Sequence, residues 1–284
     1  MTLIEVYNKS LKKLKKPDVE EIVVRILICE INDIKTMSDF YLRKDEEIRS
    51  LPRYQRLFNR YLKGEPVQYI LKKTEFYHST YVIDNRVLIP RQETEEVVDF
   101  AIKKARQVFG SKTIDVADVC CGSGIIGISL GKNLNVSRIH FSDITKDAID
   151  VSKKNCRRLD VSVKFYVANA LEGLIKKKVK VDLLVANPPY VLKDEFVDDS
   201  VIENEPEMAL FTEEDFPVYK DILSNMRKIK KDTFLVVFEI GTYSRPVLEK
   251  YVHLYAPNAE YGFIKDMNKK DRILYILFKQ EENA

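Results

Sequence analysis

The sequence has no continuous apolar stretch near the roughly 18 residues that a membrane-spanning helix needs. Residues 1–16, MTLIEVYNKSLKKLKK, mix apolar residues with lysines at helical spacing. This segment lacks the apolar block and the small-residue cleavage site of a secretory signal. These absences argue against a membrane protein and a secreted protein, and they predict a cytoplasmic location.

Cysteine, histidine and excess charge are also scarce. The chain has four cysteines and three histidines among 284 residues, and no zinc-ligand spacing relates Cys29, Cys120, Cys121 and Cys156. We therefore predict reduced thiols and no metal site. The net charge of only +3 gives no general signal for binding a polyanion.

Charge is nevertheless distributed unevenly along the chain. Residues 1–72 carry 15 Lys and Arg against 11 Asp and Glu, so their net charge is +4 and that of the remainder is −1. Residues 194–215, DEFVDDSVIENEPEMALFTEED, contain ten acids and no Lys or Arg. Most such runs are solvated surfaces, but this one also suits a partner with a basic surface.

The pattern of apolar residues changes twice along the chain. Residues 1–72 show helical periodicity, with Pro17 placed to begin a helix, and predict a bundle of three to five helices that binds a partner. The segment TEFYHSTYVIDNRVLIP alternates apolar and polar residues around Asp84–Asn85, which predicts a β-hairpin linker over 73–90. The third predicted region, 91–284, begins with a helix.

Beyond Lys112 strand-like and helix-like segments alternate. The strand-like segments are TIDVADVC, RIHFSD, VSVKFYVA, VDLLVA and TFLVVFEI, followed by the pair YGFIKDMN and RILYILFK. Alternation of this kind predicts βαβ units and a parallel sheet, and the final pair predicts an antiparallel hairpin at its edge. The predicted fold class is α/β: a mostly parallel, Rossmann-like sheet with a small N-terminal helical bundle.

The first strand of this sheet runs into DVCCGSG (118–124), and the second ends at Asp143. Glycines after a strand allow a ligand to approach the N-terminus of the next helix, and an acid at the end of the second strand can bind both hydroxyls of a ribose. The turn lacks the first glycine of GxGxxG and is not followed by GK[ST]. These absences count against a dinucleotide, exclude a P-loop, and favour a smaller ligand such as S-adenosylmethionine.

The fourth strand ends in NPPY (187–190). The Asn187 side-chain carbonyl and the Pro188 carbonyl are two adjacent acceptors that suit a planar –NH2 group, because such a group has two N–H donors. Pro189 supplies no competing N–H, and Tyr190 can stack on the planar group. Orienting a poorly nucleophilic nitrogen is what methyl transfer from a sulfonium most needs. A glutamine amide and the adenine amino group fit equally well.

The order of PRQETE (90–95), DVCCGSG, Asp143, NPPY and ENEPEMALF (203–211) resembles the HemK/PrmC family of protein-(glutamine-N5) methyltransferases. The likeness spans nearly the whole chain and implies a class I methyltransferase domain over 91–284. It implies transfer of a methyl group from S-adenosylmethionine to the glutamine of the GGQ motif in class 1 peptide-chain release factors, with S-adenosylhomocysteine as product.

The resemblance also implies roles for individual residues. It assigns the glutamine amide to Asn187, Pro188, Pro189 and Tyr190, and the polar substrate side to Arg91, Glu93 and Glu95 of PRQETE. The cofactor residues that it implies are Cys120, Cys121, Gly122, Ser123, Gly124, Asp143, Asn169, Ala170 and Asn187. Three positions and one segment depart from the family pattern: Cys120 replaces a glycine, Gln92 a proline and Asn169 an acid, and TEEDFPVY (212–219) replaces a glycine-rich stretch.

Three other functions are consistent with parts of the pattern. The first is methylation of a glutamine in a ribosomal protein, and the second is N6-adenine methylation of DNA or RNA. The ten acids that follow NPPY would repel a nucleic acid, and no basic cluster with interleaved aromatics lies near the motif, so we expect no direct nucleic-acid partner. The third is a non-catalytic binding module, whose expected loss of Asp143 or Asn187 is not seen.

Overall fold

The boundary between two structural units lies between Lys72 and Lys73. The computed structural model describes residues 1–280, apart from the side chains of Pro17 and Val19. Each unit has its own buried core.

Helices alone build the first unit. They are α1 Leu3–Leu11, α2 Pro17–Asn32, α3 Met37–Leu42, α4 Leu51–Leu62 and α5 Val67–Leu71. Thr2 and Glu5 form a capping box at the start of α1, and Pro17 begins α2, where its missing N–H removes no helical hydrogen bond. Apolar faces of the helices meet in a core that includes Leu27 and Ile28, so the predicted helical bundle is confirmed.

A β-hairpin opens the second unit, with strands β1 Lys73–Phe76 and β2 Ser79–Val82. Its turn consists of Tyr77 and His78, whose φ angles of 41° and 61° match the left-handed backbone of a tight two-residue turn. The predicted turn around Asp84–Asn85 is therefore wrong. Composition was misleading here, because Asp and Asn are frequent turn residues whereas Tyr and His are not.

A seven-stranded sheet forms the centre of the second unit. The remaining strands in chain order are β3 Ile114–Val119, β4 Val136–Asp143, β5 Val163–Val167, β6 Val181–Ala186, β7 Val191–Leu192, β8 Phe211–Thr212, β9 Lys230–Glu239, β10 Glu260–Lys265 and β11 Asp271–Phe278. The sheet order is β10-β11-β9-β6-β3-β4-β5, and β7 pairs with β8 separately. Strands β3–β6 and β9 are parallel, whereas β11 is antiparallel to β9 and β10. The predicted sheet and its antiparallel edge are confirmed.

Helices cover both faces of the sheet. They are α6 Gln92–Phe109, α7 Ile125–Asn133, α8 Lys146–Arg158, α9 Glu172–Lys176, α10 Asp199–Asn204, α11 Glu207–Leu210, α12 Pro217–Asn225 and α13 Arg245–Tyr255. Helices α6, α7 and α8 pack on one face, and α9, α12 and α13 on the other. All six residues of β6 are buried, as expected for a strand covered on both sides. Within residues 1–280, no helix combines the length and the apolar character needed to cross a membrane.

The order of strands reverses between β3 and β6. Strands β4 and β5 lie on one side of β3, and β6 and β9 lie on the other. In open α/β sheets, ligands bind beyond the carboxyl ends of the strands at such a point. Val119 pairs with Ala186, so Cys120 and Asn187 leave neighbouring strands at the same level.

Candidate active site

A cavity of about 690 Å³ lies at the carboxyl ends of β3, β4 and β6. The predicted site residues in its wall are Cys120, Cys121, Gly122, Ser123, Asp143, Asn169, Ala170, Asn187 and Pro189. Six other predicted site residues are not part of the wall: Gly124, Pro188, Tyr190, Arg91, Glu93 and Glu95. The fold thus joins segments that are up to 70 residues apart in sequence.

The turn after β3 needs glycine at two positions, for different reasons. Gly124 has φ +78°, and a Cβ atom there would lie 2.5 Å from the ring of Phe141, so the first residues of α7 approach β4 closely. Gly122 has φ +52°, and a Cβ atom there would meet nothing within 4 Å. The backbone at Gly122 therefore borders open cavity space, which a ligand can enter.

Cys120 adopts φ +58°, although it is not glycine. A left-handed backbone is strained for most side chains, so this position favours glycine. Burial and then the charge of Asp143 raise the pKa of the Cys120 thiol, and burial also raises that of Cys121. Both thiols stay protonated at neutral pH and are poor nucleophiles.

Within residues 1–280 no cluster of metal-ligating side chains occurs.

Asp143 ends β4 and organises the turn around it. Its Oδ2 accepts the Gly122 N–H at 2.9 Å, and its Oδ1 accepts the N–H and the hydroxyl of Thr145, each at 3.0 Å. A carboxylate has about four acceptor positions, so one remains at Oδ2 for a further donor. Asp143 can therefore bind a ribose hydroxyl while it fixes the glycine turn.

Asp118, on β3, is a buried acid that the sequence interpretation did not single out. Its Oδ2 accepts the Gly127 N–H at 2.8 Å, one of the donors left unpaired at the start of α7. Its Oδ1 has no hydrogen-bond partner in the described part of the chain. Burial raises the pKa of Asp118 to about 7, with a smaller contribution from the charge of Asp143.

Asp118 should make stability depend on pH, and Asp118→Asn should remove that dependence. The folded-state pKa lies above the ordinary value of 3.8. The contribution of the Asp118 carboxyl to the free energy of unfolding is therefore complete below about pH 4 and is lost as the pH rises through about 7. Between pH 5 and pH 8 we expect the free energy of unfolding of the wild type to fall by about 2–3 kcal/mol relative to the variant, measured by urea titration. An identical pH dependence in both proteins would contradict this assignment.

Asn187 and Pro189 follow β6 directly and face the cavity. The Asn187 side chain has no hydrogen bond with any other residue of 1–280, although Asn187 is partly buried. The Pro188 carbonyl lies 3.3 Å from the hydroxyl of Tyr219, which donates a shorter bond of 2.6 Å to the Glu239 carbonyl. The Tyr219 hydroxyl has only one hydrogen and gives it to the shorter bond, so the Pro188 carbonyl keeps acceptor capacity. The Asn187 side-chain carbonyl keeps acceptor capacity because nothing in the described part of the chain donates to it.

The PRQETE segment contributes residues other than those predicted. Thr94, which is buried on α6, and Pro90 line the cavity. Arg91 instead forms an ion pair of 2.6 Å with Glu205, and Glu95 accepts the Tyr77 N–H at 2.9 Å. Glu93 lies in the first turn of α6 outside the cavity wall.

The acidic segment 194–215 forms another part of the cavity wall. Residues 206–209 and 211–213 line the cavity. Glu205, one of the ten acids, is buried: it accepts the Ile89 N–H at 2.9 Å in addition to its pairing with Arg91. This acid anchors the segment to the rest of the unit, so the run is not simply a solvated surface.

The residues present fit S-adenosylmethionine. The cavity volume lies within the range of small-molecule sites, and it offers an acid with a remaining acceptor, an open glycine backbone and apolar surfaces for a flat base. Ile144, Ala170 and Val218 supply such surfaces. Asn169 lies beside them, where its side-chain amide can pair with a base edge.

Two protein-family models match the chain. The model described as "PrmC N-terminal domain" matches residues 5–71, and the model described as "Methyltransferase small domain" matches residues 95–206. The first match falls within the helical unit, and the second runs from α6 to the acidic segment.

Curated relatives match nearly the full length. A release factor glutamine methyltransferase from Bacillus subtilis is 36% identical over 236 residues, covering 82% of each chain. Proteins of the same name from Clostridium botulinum and Bacillus cereus are 32% and 28% identical and cover at least 90% of each chain.

Solved structures share the fold at low sequence identity. A putative S-adenosylmethionine-dependent methyltransferase from Streptococcus mutans has a TM-score of 0.51 at 8% identity, covering 72% of this chain and 55% of that one. The hMettl16 catalytic domain, in complex with a MAT2A 3'UTR hairpin, also has a TM-score of 0.51 at 15% identity, covering 72% of this chain and 76% of that one.

Proposed function

The chain belongs to the family of release factor glutamine methyltransferases, and we propose that it methylates the side-chain amide nitrogen of the glutamine in the GGQ motif of class 1 peptide-chain release factors. One observation carries the assignment of the reacting group. Asn187 presents an unpaired side-chain amide in the wall of a cavity whose other residues suit S-adenosylmethionine.

The residues of this chain act mainly by positioning. When bound, S-adenosylmethionine would supply the methyl group from its sulfonium sulfur. Loss of that methyl group leaves the thioether S-adenosylhomocysteine. Asp143 would bind the ribose, and the Asn187 side chain and the Pro188 carbonyl would accept the two hydrogens of the glutamine amide. Holding both hydrogens would fix the nitrogen in the orientation for in-line attack. The nitrogen would form a bond to the methyl carbon as the bond between that carbon and sulfur breaks, and the nitrogen would then lose one proton to the solvent.

The negative charge of the acidic segment 194–215 favours a protein as the binding partner over a nucleic acid. Part of it lines the cavity, and its exposed acids would repel phosphates and attract a basic surface. We further propose that the helical unit contacts the release factor, that neither nucleic acid nor membrane binds directly, and that the protein acts in the cytoplasm. The segments 73–90 and 91–284 would then serve as linker and catalytic domain.

A labelling experiment tests the substrate. The protein is incubated with methyl-labelled S-adenosylmethionine and, separately, with a release factor, its GGQ glutamine-to-alanine variant, a ribosomal protein fraction and duplex DNA. We expect label only in the intact release factor. Label in DNA or in ribosomal protein alone, or undiminished label in the glutamine-to-alanine variant, would overturn the proposal.

A further inference from the structure

Glu239 is a fully buried acid at the end of β9, next to the strand that carries NPPY. Ala186 pairs with Phe238 in the parallel ladder, so Glu239 lies level with Asn187. The buried apolar run of β9, FLVVF (234–238), ends in this carboxylate. Burying a charged group is costly, and a strand ending in a core has no packing need for one.

The Glu239 carboxylate interacts with the hydroxyls of Tyr190 and Thr94. Its Oε1 accepts the Tyr190 hydroxyl at 3.1 Å, whereas its Oε2 has no hydrogen-bond partner in the described part of the chain. Burial raises the pKa of the Glu239 carboxyl, and the Thr94 hydroxyl and then the charge of Arg272 oppose this rise. Burial, with a further contribution from Glu239, also raises the pKa of Tyr190, which therefore stays a hydrogen donor.

The Tyr190 ring is held on two further sides. A Cβ atom on Gly241 would lie 3.0 Å from Cδ2 of Tyr190, so the backbone after β9 packs directly against the ring. The Arg272 guanidinium lies 5.8 Å from the ring centroid and is itself fixed by Asp266 through a bond of 3.2 Å. Because the hydroxyl hydrogen is already donated to Glu239, Tyr190 can offer a substrate its ring and its hydroxyl oxygen as an acceptor, but no hydrogen-bond donor.

A second link joins the main chains of the same two segments. Tyr219, fully buried on α12, donates its hydroxyl to the Glu239 carbonyl at 2.6 Å and lies 3.3 Å from the Pro188 carbonyl. The end of β9 is thus connected to NPPY through the Glu239 side chain and through its backbone.

We propose that Glu239 is a positioning residue for methyl transfer: by accepting the Tyr190 hydroxyl, it holds the NPPY turn in the geometry that presents Asn187 and Pro188 to the substrate amide. This inference rests on the proposed function, since it concerns the same reaction. Glu239 itself lies outside the cavity wall, and its side chain reaches the NPPY turn through Tyr190.

A double-mutant cycle tests this role. The variants are Glu239→Ala, Tyr190→Phe and the two combined, with kcat, KM and the dissociation constant for S-adenosylmethionine measured for each. Misplacement by about 1 Å costs about 10²-fold in rate, so we expect each single change to lower kcat by about tenfold to hundredfold. The cofactor dissociation constant should change by less than about threefold, which is under 1 kcal/mol. The combined variant should be no slower than the worse single one, because both changes remove the same bond.

Two further variants separate positioning from general stability. Glu239→Gln keeps an acceptor for the Tyr190 hydroxyl and should retain kcat within about threefold, even though its buried amide lowers stability. Tyr275→Phe is the matched control: it removes a hydroxyl from β11, outside the cavity, and should leave kcat unchanged.

Several results would overturn this role for Glu239. They are wild-type kcat in Tyr190→Phe, multiplicative losses in the combined variant, or a loss of cofactor affinity as large as the loss of kcat. If Glu239→Ala does not fold, Tyr190→Phe decides alone. Failure of the proposed function is distinguishable, because the wild type would then not methylate the release factor at all.

Discussion

Asn187→Ala should lower kcat for release factor methylation by about 10³-fold, because removing one preorganised polar contact to the reacting group typically costs about 10²- to 10³-fold and misorientation adds to it. The side chain has no protein partner among residues 1–280, so its loss leaves no other bond broken. The fold should therefore be unaffected. The dissociation constant for S-adenosylmethionine should change by less than about threefold, measured by calorimetry.

The matched control for this change is Asn135→Ala. Asn135 lies just before β4, at the amino ends of the parallel strands and thus opposite to the cavity. Its side chain donates to the Thr113 hydroxyl at 2.8 Å. That variant should methylate at the wild-type rate. Turnover near the wild-type value in Asn187→Ala would remove Asn187 from the catalytic role, whatever the control shows.

Asp143→Ala should have its largest effect on cofactor affinity. It removes the acid that we assign to the ribose, and bonds to a charged group contribute about 1.5–3 kcal/mol each. It also frees the Gly122 N–H, which Asp143 accepts at 2.9 Å, so the glycine turn loses its anchor. We expect the dissociation constant for S-adenosylmethionine to rise by at least about 30-fold to 100-fold in a calorimetric titration.

Asp150→Ala is the control for this second variant. Asp150 is a half-exposed acid on α8, near Asp143 in sequence but outside the cavity wall, and it pairs only loosely with Lys153 at 3.6 Å. Its replacement should leave cofactor affinity unchanged. If affinity were also unchanged in Asp143→Ala, the ribose would have to bind elsewhere in the cavity.

Sequence patterns predicted the sheet and the part of the cavity wall that directly follows β3, β4 and β6, because both depend on local signals. Apolar runs of strand length, each ended by glycine, proline or acid, locate β3, β4 and β6 and the residues just beyond them. Parallel strands have their carboxyl ends on the same side of the sheet. The prediction that DVCCGSG, Asp143 and NPPY lie together therefore needed no information on side-chain contacts.

The parts that sequence did not predict depend on contacts between distant segments. Arg91 was assigned to the substrate side, yet it pairs with Glu205, 114 residues away. Glu239 meets Tyr190 only because β9 lies beside β6. An acid that ends a buried apolar run and lies two residues before a glycine, as in FEIG, was the one available signal for it.

The most direct test of glutamine methylation and of the role of Asn187 is to locate the transferred methyl group on the release factor. A release factor is incubated with S-adenosylmethionine and either the wild-type protein or Asn187→Ala, and its peptides are sequenced by fragment-ion mass spectrometry. We expect one added methyl group on the side-chain amide of the GGQ glutamine with the wild type, and an unmodified glutamine with Asn187→Ala. A methyl group on any other residue, or equal modification by both proteins, would contradict this expectation.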